Sequence, residues 1–149
     1  MKNNQPLWIL GHKVNLHPTS GNYDLAHFQT PAKSQGPPPH IHSNYEESFL
    51  ILEGEMEFMI NGTTKTFTAG ESIDIPPGTL HTFSNTSERP CTWVNIHSPK
   101  GFSEFFTTFG VPENENNAIE KSVSPEIIEK VLATAPNYDM AIPPPSGNQ

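Results

Sequence analysis

Apolar and polar positions alternate with a period of two along most of this chain. That is the pattern of strands, whose successive side chains point to opposite faces. Residues 7–16 (LWILGHKVNL) read as a first strand, and 22–30, 47–52, 55–60, 63–68, 72–75, 80–85 and 92–98 as those that follow. Asn61-Gly62 joins 55–60 to 63–68, and both residues tolerate the positive φ of a type I′ hairpin turn. Pro76-Pro77-Gly78 turns the chain before residues 80–85. Between Pro31 and Pro39, three consecutive prolines at 37–39 favour an extended chain and exclude a helix. Many short strands punctuated by turns predict an all-β sandwich or barrel.

After Pro99 the period changes. Phe102, Phe105, Phe106 and Phe109 stand at helical spacing and are followed by the stops Gly110 and Pro112. This short helix packs on the barrel's outer face or mouth, or else serves as a lid or a dimer contact. Ser124-Pro125-Glu126 opens a second helix, with serine as N-cap and proline at the first helical position, ending near Pro136. The expected organisation is an arm over 1–21, a β-barrel over 22–100, a helical segment packed on it over 101–136, and a mobile tail over 137–149.

Composition supports one β-rich domain. The 149 residues include 16 prolines and 10 glycines, and only 34% are hydrophobic. A net charge of -8, with eight scattered Lys and Arg, argues against nucleic acid or an anionic membrane as partner. The lone cysteine, Cys91, has no intramolecular disulfide partner and reads as a small buried hydrophobe. Residues 1–10 do not resemble a signal peptide, and no apolar run reaches membrane-spanning length, so a cytoplasmic address is expected.

The chemistry lies in the histidines. His40 and His42, two apart on an extended chain, project to the same side. Glu47 follows a polar turn and shares a strand face with Phe49 and Ile51, while Glu46 takes the opposite, solvated face. A carboxylate in apolar company is costly unless it is paired or meets a metal. His81 lies just beyond the Pro-Pro-Gly turn, on a face with Phe83 and Asn85. Three imidazoles and one carboxylate suit one divalent transition metal, Fe, Mn, Ni, Cu or Zn. His27 reads as a wall histidine or a substrate contact, and His97 is equally open. His12 and His17 are expected at the surface. Phe49, Ile51, Met56, Phe58, Ile73, Ile75 and Phe83 are expected in the core or lining the pocket.

Residues 40–54 (HIHSNYEESFLILEG) and 70–85 (GESIDIPPGTLHTFSN) resemble the two motifs of the cupin superfamily. All five fixed positions of the second motif are present: Gly70, Pro76, Gly78, His81 and Asn85. In the first motif, Ser34 replaces the glycine six residues before His40, and the nearest glycine is Gly36. The segment from Ser98 to Gly110 is similar to that of small bacterial cupins related to quercetin 2,3-dioxygenase. The resemblance implies a double-stranded β-helix with short C-terminal helices and metal ligation by His40, His42, Glu47 and His81.

Four protein ligands on a six-coordinate metal leave two positions free. The resulting expectation is a metal-dependent, dioxygenase-like enzyme acting on a small flavonol- or diketone-like molecule. Glu47 serves as ligand and as catalytic base. The alternatives are a non-oxidative ligand-binding or sensing protein, and a metal-dependent isomerase or lyase. Residues 47–52 are apolar on both faces, which predicts a homodimer covering the outer one.

Overall fold

The computed structural model describes residues 5–144, and Pro145–Gln149 of the expected tail lie outside them. The chain begins with β1 (Leu7–Ile9) and β2 (His12–His17), then β3 (Asp24–Thr30) and the short β4 (Ser34–Gln35). It continues through β5 (Glu46–Glu53), β6 (Glu55–Ile60), β7 (Thr63–Thr68), β8 (Ser72–Ile75), β9 (His81–Asn85) and β10 (Cys91–Ser98). Helix α1 (Ser103–Phe109), strand β11 (Val111–Pro112) and helices α2 (Ala118–Ser122) and α3 (Pro125–Thr134) follow, ending in a 3₁₀ turn over Ala135–Tyr138. A seven-stranded sheet in the order β11-β1-β2-β3-β10-β5-β8 faces a four-stranded sheet in the order β4-β9-β6-β7. The strands pair antiparallel, and the two sheets enclose the core as a double-stranded β-helix.

The period-two reading sets the sheet faces. Phe49 and Ile51 of β5 and Met56 and Phe58 of β6 are buried, whereas Leu50 and Leu52 face outward, 40% and 46% exposed. An aromatic layer fills the interior. Phe28 stacks on Trp93 at 4.3 Å, and Phe49, Phe58 and Phe83 pack edge-on or tilted around them. Cys91 is buried within the core, as expected, and burial pushes its thiol up to about 12.

Asn61 and Gly62 adopt φ of 48° and 86°, the conformation that the hairpin requires. Gly36 shows why the displaced glycine of the first motif is tolerated. A Cβ built there would meet the Phe83 carbonyl oxygen at 2.0 Å, so the close approach of this loop to β9 needs glycine at 36, while Ser34 pairs with Asn85.

Two expectations need correction, and one element has no counterpart in the sequence pattern. Residues 7–16 form two strands, because the chain reverses at Leu10-Gly11, where both residues have positive φ. Helix α2 carries no apolar period long enough to be read in advance. Residues 137–144 are fastened to the barrel. Ala141 exchanges two backbone hydrogen bonds of 2.9 Å with Ile41, and Met140 is buried. Helix α1 lies at the barrel mouth. Its start is held by Asp24 Oδ2, which accepts from the backbone N–H of Gly101 and of Ser103, and its phenylalanines turn inward.

Candidate metal centre

His40 and His81 are direct cross-strand partners. Each donates its backbone N–H to the other's carbonyl over 3.0 Å. This pairing places one imidazole from the Pro-rich segment beside one from β9. His42 lies two residues along, on the same side, with its ring 4.8 Å from that of His40. Glu47 reaches the same point from β5, on the other sheet. Glu47 is 6% exposed while Glu46 is open to solvent, so the register reading that chose between them holds. One ligand atom from each of His40, His42, Glu47 and His81 falls in a group whose members lie within 4.8 Å of one another. Ligands about 2.1 Å from a six-coordinate ion stand about 3 Å apart when cis and about 4.2 Å when trans, so this set could close on one ion with small side-chain adjustments.

The hydrogen bonds around the cluster orient it. Nδ1 of His40, of His42 and of His81 lies 2.9, 2.8 and 2.9 Å from the backbone carbonyls of Pro38, Asp139 and Thr79 respectively. A carbonyl can only accept, so each Nδ1 carries the proton and each neutral ring presents the Nε2 lone pair to the centre. Glu47 Oε1 is 3.0 Å from Nε2 of His81 and 3.5 Å from Nε2 of His42. Acceptors facing acceptors at these distances need a cation between them. The donor set therefore fits a divalent metal.

Without a metal, a proton supplies that charge. Burial alone would push the Glu47 carboxyl up. The charge of His97 and the bonds from His42 and His81 outweigh it and hold the group well below the usual carboxylate range. Burial likewise opposes charging His42, but its hydrogen bond to Glu47 and the carboxylate charge raise its affinity for a proton overall. His40 is pushed down to about 3, first by burial and then by the neighbouring His81 and His42.

Two residues that the sequence reading left open or did not name complete the surroundings of Glu47. Asn95 donates its side-chain N–H to Oε2 over 2.8 Å. His97 Nε2 sits 3.3 Å from the same oxygen, in an orientation that makes no hydrogen bond, and has no partner among the described residues. The His97 ring stacks on Phe102 at 4.2 Å. Trp93, Asn95 and His97 share the inward face of β10, a parity visible in the sequence once Trp93 is taken as core.

His12 is the clearest departure from expectation. It is 4% exposed, lines the cavity, and its Nε2 has no partner among the described residues. Its Nδ1 lies 3.1 Å from the Thr30 hydroxyl, which accepts from Trp93 Nε1 over 2.9 Å. Burial pushes His12 down to about 4, despite an opposing influence from the Gln35 backbone. His27 is half-buried on the outer face beside His17 and does not line the cavity. Asn85, a fixed residue of the second motif, is structural. Its amide donates to the Pro31 and Arg89 carbonyls and its carbonyl accepts from Ser87.

The cavity around the cluster has a volume of about 80 Å³. Apart from Glu47 and the histidines, no ionisable side chain is among its described lining residues; aromatic and aliphatic groups predominate.

Comparison with known proteins agrees with this architecture. Residues 27–97 match the family model Cupin_2, the cupin domain. A stretch of 57 residues, 38% of the chain, is 42% identical to 31% of the HTH-type transcriptional regulator PuuR of Escherichia coli (strain K12). A stretch of 76 residues, 50% of the chain, is 32% identical to 22% of the quercetin 2,3-dioxygenase of Bacillus subtilis (strain 168). The chain thus spans less than a third of either relative's length. Among solved structures, an RmlC-like cupin from Shewanella frigidimarina NCIMB 400 superposes with a TM-score of 0.59 at 19% identity, over 70% of this chain and 92% of that one. Residues 27–97 thus form a cupin domain, and the two-sheet barrel built around it has the same fold as that solved structure.

Proposed function

We propose that this cupin binds one divalent transition metal through His40, His42, Glu47 and His81 and acts as a dioxygenase-like enzyme on a small enolisable diketone or hydroxy-ketone. One observation carries the reading: three Nδ1–H groups are committed to backbone carbonyls, so three Nε2 lone pairs and one carboxylate converge on a single point. When bound, the metal would supply Lewis acidity toward a chelating enolate and positions for a second small ligand.

The protein's own groups divide the remaining work. Glu47 accepts the proton of the enol at Oε1, while Asn95 keeps Oε2 fixed. The apolar walls, including Phe49, Phe102 and Phe106, exclude water and strengthen charge interactions at the cluster. The compact cavity of about 80 Å³ favours the small chelating head of a diketone over a three-ring flavonol.

A second reading, a ligand-sensing cupin without turnover, is favoured by the 42% identity to a transcriptional regulator. Oxygen uptake separates the two. The metal-loaded protein is incubated with a panel of 2,4-diones, and Fe, Mn, Ni, Cu and Zn are compared. Oxygen consumption with a redox-active metal and none with Zn supports the enzyme. Tight dione binding with no oxygen consumed on any metal supports the sensor.

A further inference from the structure

A second hollow of about 390 Å³ adjoins the metal cavity. It lies under α3, between Ile128 and Leu132 on one side and the Gly36–Pro38 segment on the other. Leu10, Pro37, Pro38 and Val131 line both hollows, so one wall separates them. No ionisable side chain is among the described residues that line the second hollow. Helix α3 is lightly attached. Of its ten residues only Val131 is buried, and Ile128 and Leu132 remain 40% and 49% exposed. A lightly packed helix is the kind of element that moves at low cost.

The metal cavity by itself is too small for most organic ligands, whose sites span about 300–1,000 Å³. Joined past the Val131 wall, the two hollows reach that range. The surface of the second one selects against charge. A phosphate or carboxylate tail would find no Lys or Arg there, and a polyamine would find no carboxylate. A hydrocarbon tail would cover Ile128 and Leu132.

We infer that the hollow under α3 is a second subsite of the metal cavity, taking the flexible apolar tail of a ligand whose oxygen-chelating head lies at the histidine cluster. The inference rests on the chelating head proposed above, and its test keeps the two apart.

Nickel-loaded protein is titrated by calorimetry with 2,4-pentanedione and with 2,4-nonanedione, which share a head and differ by four methylenes. Burial of those methylenes predicts at least tenfold tighter binding of the longer dione. Leu132→Asp, at a half-exposed position, is expected to bring that ratio near one with metal content unchanged. Ile128→Asp is the second variant should the first fail to fold. A ratio near one in the wild type overturns the subsite, as does a ratio retained in full by both variants. If Leu132→Asp instead splits a dimer in light scattering while the wild-type ratio is near one, the face is a self-association surface and the subsite is wrong. If neither dione binds, the chelating head has failed, and 2-nonanone decides the subsite alone. Shifted methyl resonances of Ile128 and Leu132 support it, and unshifted ones overturn it.

Discussion

The imidazole of His42 donates from Nδ1 to the backbone carbonyl of Asp139 over 2.8 Å, joining positions 97 residues apart. The Asp139 carboxylate returns along the same seam, accepting from the backbone N–H of Ser43 at 3.1 Å and of Asn44 at 2.7 Å. One residue from beyond the helices therefore sets the tautomer of a ligand imidazole and the shape of the loop between His42 and Glu47. Asp139 adopts φ of 56°, which asparagine tolerates and alanine resists. Asp139→Ala is expected to weaken metal binding by about 10–100-fold, and Asp139→Asn by much less. Competition with a chromogenic chelator measures both, and equal affinities for the two variants would remove Asp139 from the second layer.

Glu47→Gln keeps the shape of the side chain and removes its charge. The variant is expected to fold, because Asn95 can still bond to the amide oxygen, and to lose metal affinity by at least tenfold. Glu46→Gln, on the solvated face, is expected to match the wild type. Metal content after dialysis, by elemental analysis, tests the pair.

His12 links acidity to stability. Its folded value is lowered from 6.5 to about 4 by burial, so the folded state keeps it neutral where the unfolded chain takes up a proton. The sign follows: stability is fully present above pH 6.5 and is lost as pH falls toward 4, by roughly 3 kcal/mol at most. Below that the contribution is constant. His12→Gln does not titrate, so the gap between its urea midpoint and that of the wild type should change in favour of the variant between pH 6.5 and 4. A constant gap would mean that His12 is solvated in solution.

The outer face of β5 and β10 carries Leu50, Leu52 and Ile96, each more than a third exposed. Covering this face by a second copy is expected to give a dimer in light scattering, and Leu52→Lys should shift it toward monomer. A wild type that runs as a monomer at micromolar concentration removes the idea.

What could be read in advance follows from the range of the interactions. The His40–His42 pair and the choice of Glu47 over Glu46 depend only on strand parity, which is local. The Asn61-Gly62 hairpin depends on two adjacent dihedral pairs. Asn95 and His97 were accessible by the same parity, given Trp93 as the inward residue of β10. His12 escaped because its face depends on a reversal at Leu10-Gly11, and leucine with φ of 49° is a conformation that no propensity favours. Asp139 escaped for a deeper reason. The group that contacts His42 is a backbone carbonyl, which every residue possesses, so side-chain identity carries no trace of it.

Glu47 belongs to the seven-stranded sheet and His81 to the four-stranded one. An ion gripped by both would rivet the two halves of the sandwich together at its centre. The sheets could not then peel apart until coordinate bonds broke. Resistance to proteases and to prolonged heating would be governed by how slowly the ion escapes, and a chelator would shorten the protein's lifetime without touching a single apolar contact.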